Sequence, residues 1–343
     1  MIAPAVDLFL LAGVVDDAHG DARGDDHGQA LRNTVDYAVA AEEAGFDGVW
    51  LAEHHFLTYG ACPSAVALAS YVLGRTRRIT VGTAAAVLPA RHPVALAEEA
   101  ALLAAVADDR FELGIGRGGP WVDLEVFGTG LPRFTDGFPD SVDVLLRWLS
   151  GAATVGADGP HHRFRPVRVV PRPTRPPRVR IAATSPATVD LAAARGLPLL
   201  LGMHAAPAEH RVLLDRYAAA FGAAVPGPAV AHLAYVGETV EQARAAVRPA
   251  LLAWLARTAE YVRIDGSVGR TDPVAYADRL LDLHPVGDAD LCVERLRRSA
   301  EVTGAGRLLL AVEAAGDRQR TLESIHRLAA DVLPGVSGWL RTA

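Results

Sequence analysis

The sequence predicts an α/β fold: a single (β/α)8 TIM-type barrel spanning residues 1–343, with insertions after strands four and seven. Three observations predict it. Short apolar runs with the length and composition of buried strands alternate with helical runs, eight pairs in all. The chain has 343 residues, more than the roughly 250 that such a barrel typically needs, and the surplus falls in two irregular stretches. One stretch, Arg78–Gly119, is a complete strand, loop, helix and strand unit. It ends in the turn Gly116-Arg117-Gly118-Gly119, where a parallel strand would stop.

Taken in order, strand one is Val6–Leu11. The apolar start resembles a leader peptide, but it lacks a basic opening and carries Asp7, so it reads as core. A glycine- and aspartate-rich loop, Asp16–Gly28, leads to a helix at Leu31–Ala44 that stops at Gly45. Strand two is Phe46–Leu51 and its helix Pro63–Leu73. Strand three, Ile79–Thr83, is a short apolar run suited to burial on both faces, and Pro89 and Pro93 close its loop before the helix His92–Val106. Strand four is Phe111–Ile115, followed by an aromatic, glycine-rich excursion over 118–138 and a helix at Pro139–Leu149. The rhythm then breaks. Thr154–Pro177, dense in arginine and proline and carrying His161 and His162, suggests a hairpin and an extended linker. Strands five to eight are Arg178–Ala183, Leu197–Leu201, Val230–Val236 and Arg307–Val312. Their helices are Ala187–Ala194, Ala208–Phe221, Val240–Arg257 and Arg318–Val332, with a further one at Asp288–Thr303. The mixed, polar stretch 258–286 reads as a mobile segment. Two long uncharged stretches, His54–Gly74 and Tyr217–Gly237, are broken by proline and glycine, so neither reads as a membrane span.

Half the residues are hydrophobic, the net charge is −6, and every basic residue is arginine. Because the charges are interspersed rather than blocked, neither a nucleic-acid surface nor a polybasic membrane patch is expected. Cys62 and Cys292 are too few and too far apart for a disulfide framework or a metal site, which points to a reducing cytoplasm.

In a barrel of this type chemistry sits on the loops that follow the strands. After strand two comes Glu53-His54-His55-Phe56. The two histidines are adjacent on extended chain and point apart, so they cannot chelate one metal together. One facing the mouth would serve as an acid, a base or a hydrogen-bond donor. After strand five, Thr184, Ser185 and Thr188 open a helix, and they read either as a simple N-cap or as a phosphate site with Arg117 supplying the charge. Arg117 reads equally as a surface ion-pair partner. Gly114, Gly116 and Gly119 also spell the dinucleotide-binding spacing, but Pro120 and Trp121 stand where the binding helix should begin.

Several longer stretches go further. LAEHHF at 51–56, VGTAAAVLPARHPVALAEEAALL at 81–103, DRFELGIGRG at 109–118, VFGT at 126–129, ATSPATVDLAAARGLP at 183–198 and HPVG at 284–287 resemble the bacterial luciferase-like flavin monooxygenases. The resemblance implies a (β/α)8 barrel that binds reduced FMN (FMNH2) and uses dioxygen, through a flavin hydroperoxide, to oxidise a small organic substrate. By position it implies Arg117, Ser185 and Thr188 at the FMN phosphate with the Thr184 backbone beside them, a non-prolyl cis peptide at Ala84-Ala85 under the flavin ring, and His54 as the catalytic histidine. Gly116 stands where luciferase has a cysteine near the flavin, and Met203 where it has a tryptophan. With the glycine turn assigned to phosphate nothing resembles a nicotinamide site, so a separate NAD(P)H:flavin reductase is expected to deliver FMNH2. A homodimer is expected from the family and from the alanine-rich helices at 63–73 and 92–106. Two alternatives stand beside this reading: a deazaflavin-dependent hydride-transfer enzyme of the same superfamily, and a non-catalytic flavin-binding subunit.

Overall fold

The structure, a computed structural model, describes residues 3–14, 24–57, 59–119, 121–223, 226–258 and 272–338. The predicted barrel is the fold observed. Its strands are β1 (Ala5–Leu10), β2 (Gly48–Leu51), β3 (Thr80–Thr83), β4 (Phe111–Gly116), β5 (Arg178–Ala182), β6 (Leu199–Leu201), β7 (Ala229–Leu233) and β8 (Arg307–Ala311). All neighbours pair in parallel. β1 lies between β2 and β8, and β3 meets β4 at Val81↔Phe111, which closes the ring. Closure leaves no barrel strand with an open edge.

Side chains alternate across each strand. Those facing outward, such as Val6, Leu8, Val49, Leu113, Ile181, Val230 and Leu310, form the large core beneath the helices. The inward set has a different character, graded along the barrel axis. Near the strand starts, Arg307 donates to Asp7 (2.7 Å) and to Glu112 (3.0 Å), and Arg180 donates to Glu112 (2.9 Å). Above this ionic layer lies Trp50, whose indole N–H donates to Asp7 (2.8 Å) and whose ring has the Arg180 and Arg307 guanidiniums 5.8 Å from its centre. Gly82 makes room for it, since a Cβ there would come within 2.4 Å of the indole. The inner cluster around Trp50 is rich in alanine, with Ala84, Ala85, Ala182, Ala231 and Ala311 set among Phe9, Leu200, Met203 and Leu309. These small side chains leave room at the C-terminal mouth.

The helices are α1 (Gly24–Ala44), α2 (Ala65–Arg75), α3 (Pro93–Val106), α4 (Trp121–Val126), α5 (Gly130–Phe134), α6 (Gly137–Leu149), α7 (Pro186–Ala193), α8 (Pro207–Phe221), α9 (Val240–Thr258), α10 (Pro273–Leu283), α11 (Ala289–Thr303) and α12 (Arg318–Arg327). The expected hairpin is present, Thr154–Asp158 pairing antiparallel with Arg163–Arg168.

Three expectations need correction. α1 starts at Gly24 rather than Leu31: Asp26 suits the positive end of a helix, and the penalty of Gly28 inside it is only about 1 kcal/mol. The rest of the predicted loop before it, residues 16–23, lies outside the described residues. The stretch 258–286 is not uniformly irregular. Residues 259–271 lie outside the described set, but α10 occupies 273–283, its start fixed by Asp272 accepting from Val274 N (2.9 Å) and Ala275 N (3.1 Å). Finally, α11 rather than α9 takes the ring place before β8, packing on α8, while α9 and α10 pack on each other around a separate core of Leu251, Leu255, Leu280 and Leu281.

Candidate active site

The loop after β2 is anchored by Glu53. Its buried carboxylate accepts from Ala65 N (2.9 Å) at the start of α2, from Val87 N (2.9 Å) beyond β3, and faces His55 Nε2 at 3.4 Å. Burial pushes this carboxyl up, but the hydrogen bonds from His55 and Val87 and the charge of Arg91 outweigh it and hold it below the ordinary range. One acidic side chain therefore ties three segments together at the mouth.

The adjacent histidines diverge, as extended chain requires. His55 turns to Glu53 and to the ring of Phe127 (4.9 Å), whereas His54 packs edge-on to Tyr59 (5.0 Å). Burial, helped by the neighbouring His55, pushes the His54 imidazole down to about 4. His54 is thus neutral near pH 7, and among the described residues its Nδ1 has no hydrogen-bond partner. Gly60 sits against it, for a Cβ there would lie 2.4 Å from that nitrogen.

On the opposite wall, Ser185 caps α7, accepting from Thr188 N (3.4 Å) and lying 3.1 Å from Thr188 Oγ1. This is the N-cap reading of the segment. Thr184 and Thr188 nevertheless line one cavity with Arg117, His54, Ala84 and Ala85, so every predicted position but Ser185 lies on its wall. The guanidinium of Arg117 lies 4.3 Å over the ring of Phe134, and among the described residues it forms no ion pair. Its charge is therefore available to a ligand. The Ala84-Ala85 peptide is cis.

That cavity measures about 290 Å³ and also takes in Glu53, His55, Tyr59 and Asp123. Beyond Tyr59 a second, mainly apolar cavity of about 630 Å³ runs under α9, lined by Leu11, Met203, Leu233, Leu251 and Trp254. Asp123, Tyr59 and Trp254 are residues that sequence reasoning missed. Asp123 shares the short run Trp121–Val126 with a second acid, Glu125, and only the structure shows that Asp123 is the buried one.

Fold and site together define a parallel barrel whose C-terminal mouth carries an arginine, two threonines, a pair of alanines in cis and a neutral histidine around one cavity. The chain belongs to the luciferase-like monooxygenase family, a family of oxidoreductases whose sequence profile matches residues 10–306. It is 28% identical over 335 residues to the alkanal monooxygenase alpha chain of the Kryptophanaron alfredi symbiont, covering 90% of this chain and 94% of that one. Among solved structures it resembles the monooxygenase RslO1 from Streptomyces bottropensis (TM-score 0.83, 23% identity, 96% of this chain and 99% of that one). It also resembles the oxygenating constituent of 3,6-diketocamphane monooxygenase from the CAM plasmid of Pseudomonas putida, in complex with FMN (TM-score 0.75, 18% identity, 97% and 98% covered).

Proposed function

We propose that the chain, acting as a single catalytic barrel, is an FMNH2-dependent monooxygenase that uses dioxygen to oxidise a small organic substrate, with FMNH2 supplied by a separate reductase. One observation carries the reading: Arg117, Thr184, Thr188, the Ala84-Ala85 floor and His54 meet in one cavity. The residues fit the group. A guanidinium and the hydroxyl-bearing start of α7, lining one cavity, suit a phosphate, small apolar side chains suit the face of a planar ring, and a neutral histidine, His54, stands beside them.

Reduced flavin, when bound, supplies the electrons that activate dioxygen for transfer of one oxygen atom to the substrate. The protein's own part is binding, orientation and shelter. Arg117, Thr184 and Thr188 hold the phosphate end, with Ser185 holding Thr188 in place. Ala84 and Ala85 support the ring. His54, neutral at pH 7, has Nδ1 closed off against Gly60, so Nε2 is the ring nitrogen left to take up or give a proton or hydrogen bond in the cavity it lines. The apolar cavity beyond Tyr59 seats the organic substrate and keeps water from the reacting groups. The homodimer reading draws support from Tyr71, Leu102 and Val106, large apolar side chains exposed on the outer faces of α2 and α3.

The test needs no substrate. Arg117→Ala should weaken FMN binding about ten- to hundredfold, the equivalent of one charge-assisted contact of roughly 1.5–3 kcal/mol, with the circular-dichroism spectrum unchanged. Purified protein given NAD(P)H and FMN should leave both almost unchanged, while added flavin reductase should start oxygen uptake that depends on the protein. Equal FMN affinity in the variant, or rapid NAD(P)H oxidation by the protein alone, would overturn the assignment.

A further inference from the structure

The loop after β6 is held by histidines. Gly202 and Met203 follow the last residue of that strand, and the carbonyl of each accepts from the Nε2–H of a buried imidazole: Gly202 from His210 on α8 (3.1 Å), Met203 from His284 at the end of α10 (2.7 Å). The contact to Met203 fixes a tautomer. Because a carbonyl only accepts, His284 carries its proton on Nε2, and in the neutral ring Nδ1 is then an acceptor. That nitrogen lies 3.4 Å from Nδ1 of His232 on β7, so His232 donates from Nδ1 and its own Nε2 accepts from the Ser299 hydroxyl of α11 at 3.1 Å. One direction runs through the whole chain, from Ser299 to His232 to His284 to the Met203 carbonyl. All four residues are buried. Burial keeps both imidazoles neutral near pH 7, pushing His284 down to about 4 and His232 well below the ordinary value. The frame around them is fixed as well, since Arg295 donates to the carbonyls of Leu281 (2.8 Å) and His284.

We infer that His284 is a positioning residue for the proposed reaction: by fixing the Met203 carbonyl it sets the Met203 thioether as a wall of the apolar cavity under α9, and so decides which substrates fit there. The inference rests on the reading that this cavity seats the organic substrate. Met203 is placed for the task, since it lines that cavity with Leu233, Trp254 and Leu280 and also belongs to the cluster that holds Ala84 and Ala85. A methionine does not make a defined wall unaided. Its three rotatable bonds and polarizable sulfur adapt to whatever space is offered, so the shape of the wall depends on how firmly the backbone beneath it is held. A rigid ring that is itself locked by two further buried groups holds it firmly. Polar groups buried together must pair in any protein, but pairing alone does not require that the last acceptor be the backbone of a cavity residue.

The sequence supplies the probe. Met1 and Met203 are its two methionines, so the full chain labelled with carbon-13 at the methionine methyls gives one interior signal. In the wild type Met203 should give a single sharp resonance, and 1-octanol, titrated as an apolar probe of the cavity, should shift it. His284→Ala should broaden or split that resonance and weaken octanol binding about tenfold, the worth of one net hydrogen bond, with the circular-dichroism spectrum unchanged. His284→Gln, whose amide can donate from nearly the place of Nε2, should restore both. Spectra of the wild type labelled with nitrogen-15 histidine should show His284 protonated on Nε2 and His232 on Nδ1, the signals assigned by their loss in His284→Gln and His232→Gln. That measurement stands even where His284→Ala fails to fold. The opposite tautomers, an unaltered Met203 signal and octanol affinity in His284→Ala, or no recovery in His284→Gln overturn the role of His284 alone. A Met203 signal that answers to His284→Ala but not to octanol in the wild type overturns the reading of the cavity, and the part of His284 in substrate choice with it.

Discussion

At the scale of single residues, the site turns on how tightly His54 is held. Its imidazole is fixed between Tyr59 and Gly60 and kept neutral by burial. Gly60→Ala would drive a methyl into Nδ1 and against the Leu11 carbonyl, 3.1 Å away. It is expected to reduce oxygen-dependent turnover about as much as His54→Ala, on the order of a hundredfold, while FMN affinity in both variants stays near the wild-type value because the phosphate groups sit on β4 and β5 loops. Full turnover in either variant, measured with a coupled flavin reductase, would reduce His54 to packing. The divergence of His54 and His55 was legible in the sequence, because neighbouring residues on extended chain must face apart. Asp123 was not. A six-residue helix with two acids, Asp123 buried and Glu125 exposed, is too short for a period to tell them apart in the sequence.

At the scale of elements, most strands were legible to within a residue or two, because their outward faces carry the continuous aliphatic signal that helices cover. The inward faces gave no such signal. Asp7, Glu112, Arg180 and Arg307 look like surface residues in the sequence, and only barrel closure brings them together at the base. α10 was passed over because its polar face dominated the reading of 258–286, although Asp272-Pro273 is an ordinary helix start. The base network carries a prediction. Burial raises the Glu112 carboxyl, but the guanidiniums of Arg307 and Arg180 outweigh it and hold the group below its ordinary value of 4.5. Its contribution to stability is therefore complete above 4.5 and disappears as pH falls through the lowered folded-state value. Glu112→Gln leaves Arg307 its bond to Asp7 but deprives the buried Arg180 guanidinium of its only carboxylate partner among the described residues, with the Gly227 carbonyl alone remaining, and should cost about 3 kcal/mol at pH 7. The gap between variant and wild type should narrow on acidification, as followed by urea unfolding. A variant as stable as the wild type at pH 7 would show that the arginines find other acceptors.

At the scale of the molecule, two surfaces remain to be accounted for. The first is the outer face of α2 and α3, where Tyr71 is 57% and Val106 69% exposed. A second copy of the chain would cover it, so Val106→Glu is expected to shift the particle measured by light scattering from dimer to monomer. An unshifted wild-type monomer would remove the dimer from the account. The second is internal, the alanine-rich inner cluster of the barrel around Trp50. Most barrels of this kind stack side chains in layers through their whole height, and here alanine thins that stack. A flavin bound there, as proposed, would act as a piece of core that the ribosome does not supply. Heat should report it: at a hundredfold excess over Kd, a ligand held only by the folded state adds about 2.7 kcal/mol, a rise of several degrees in Tm, and Arg117→Ala should lose much of that rise. A chain stabilised in this way would tie its own lifetime to the supply of that molecule. Starved of flavin, it would open more often to proteases, and its abundance in the cell would follow the vitamin supply without any dedicated regulator.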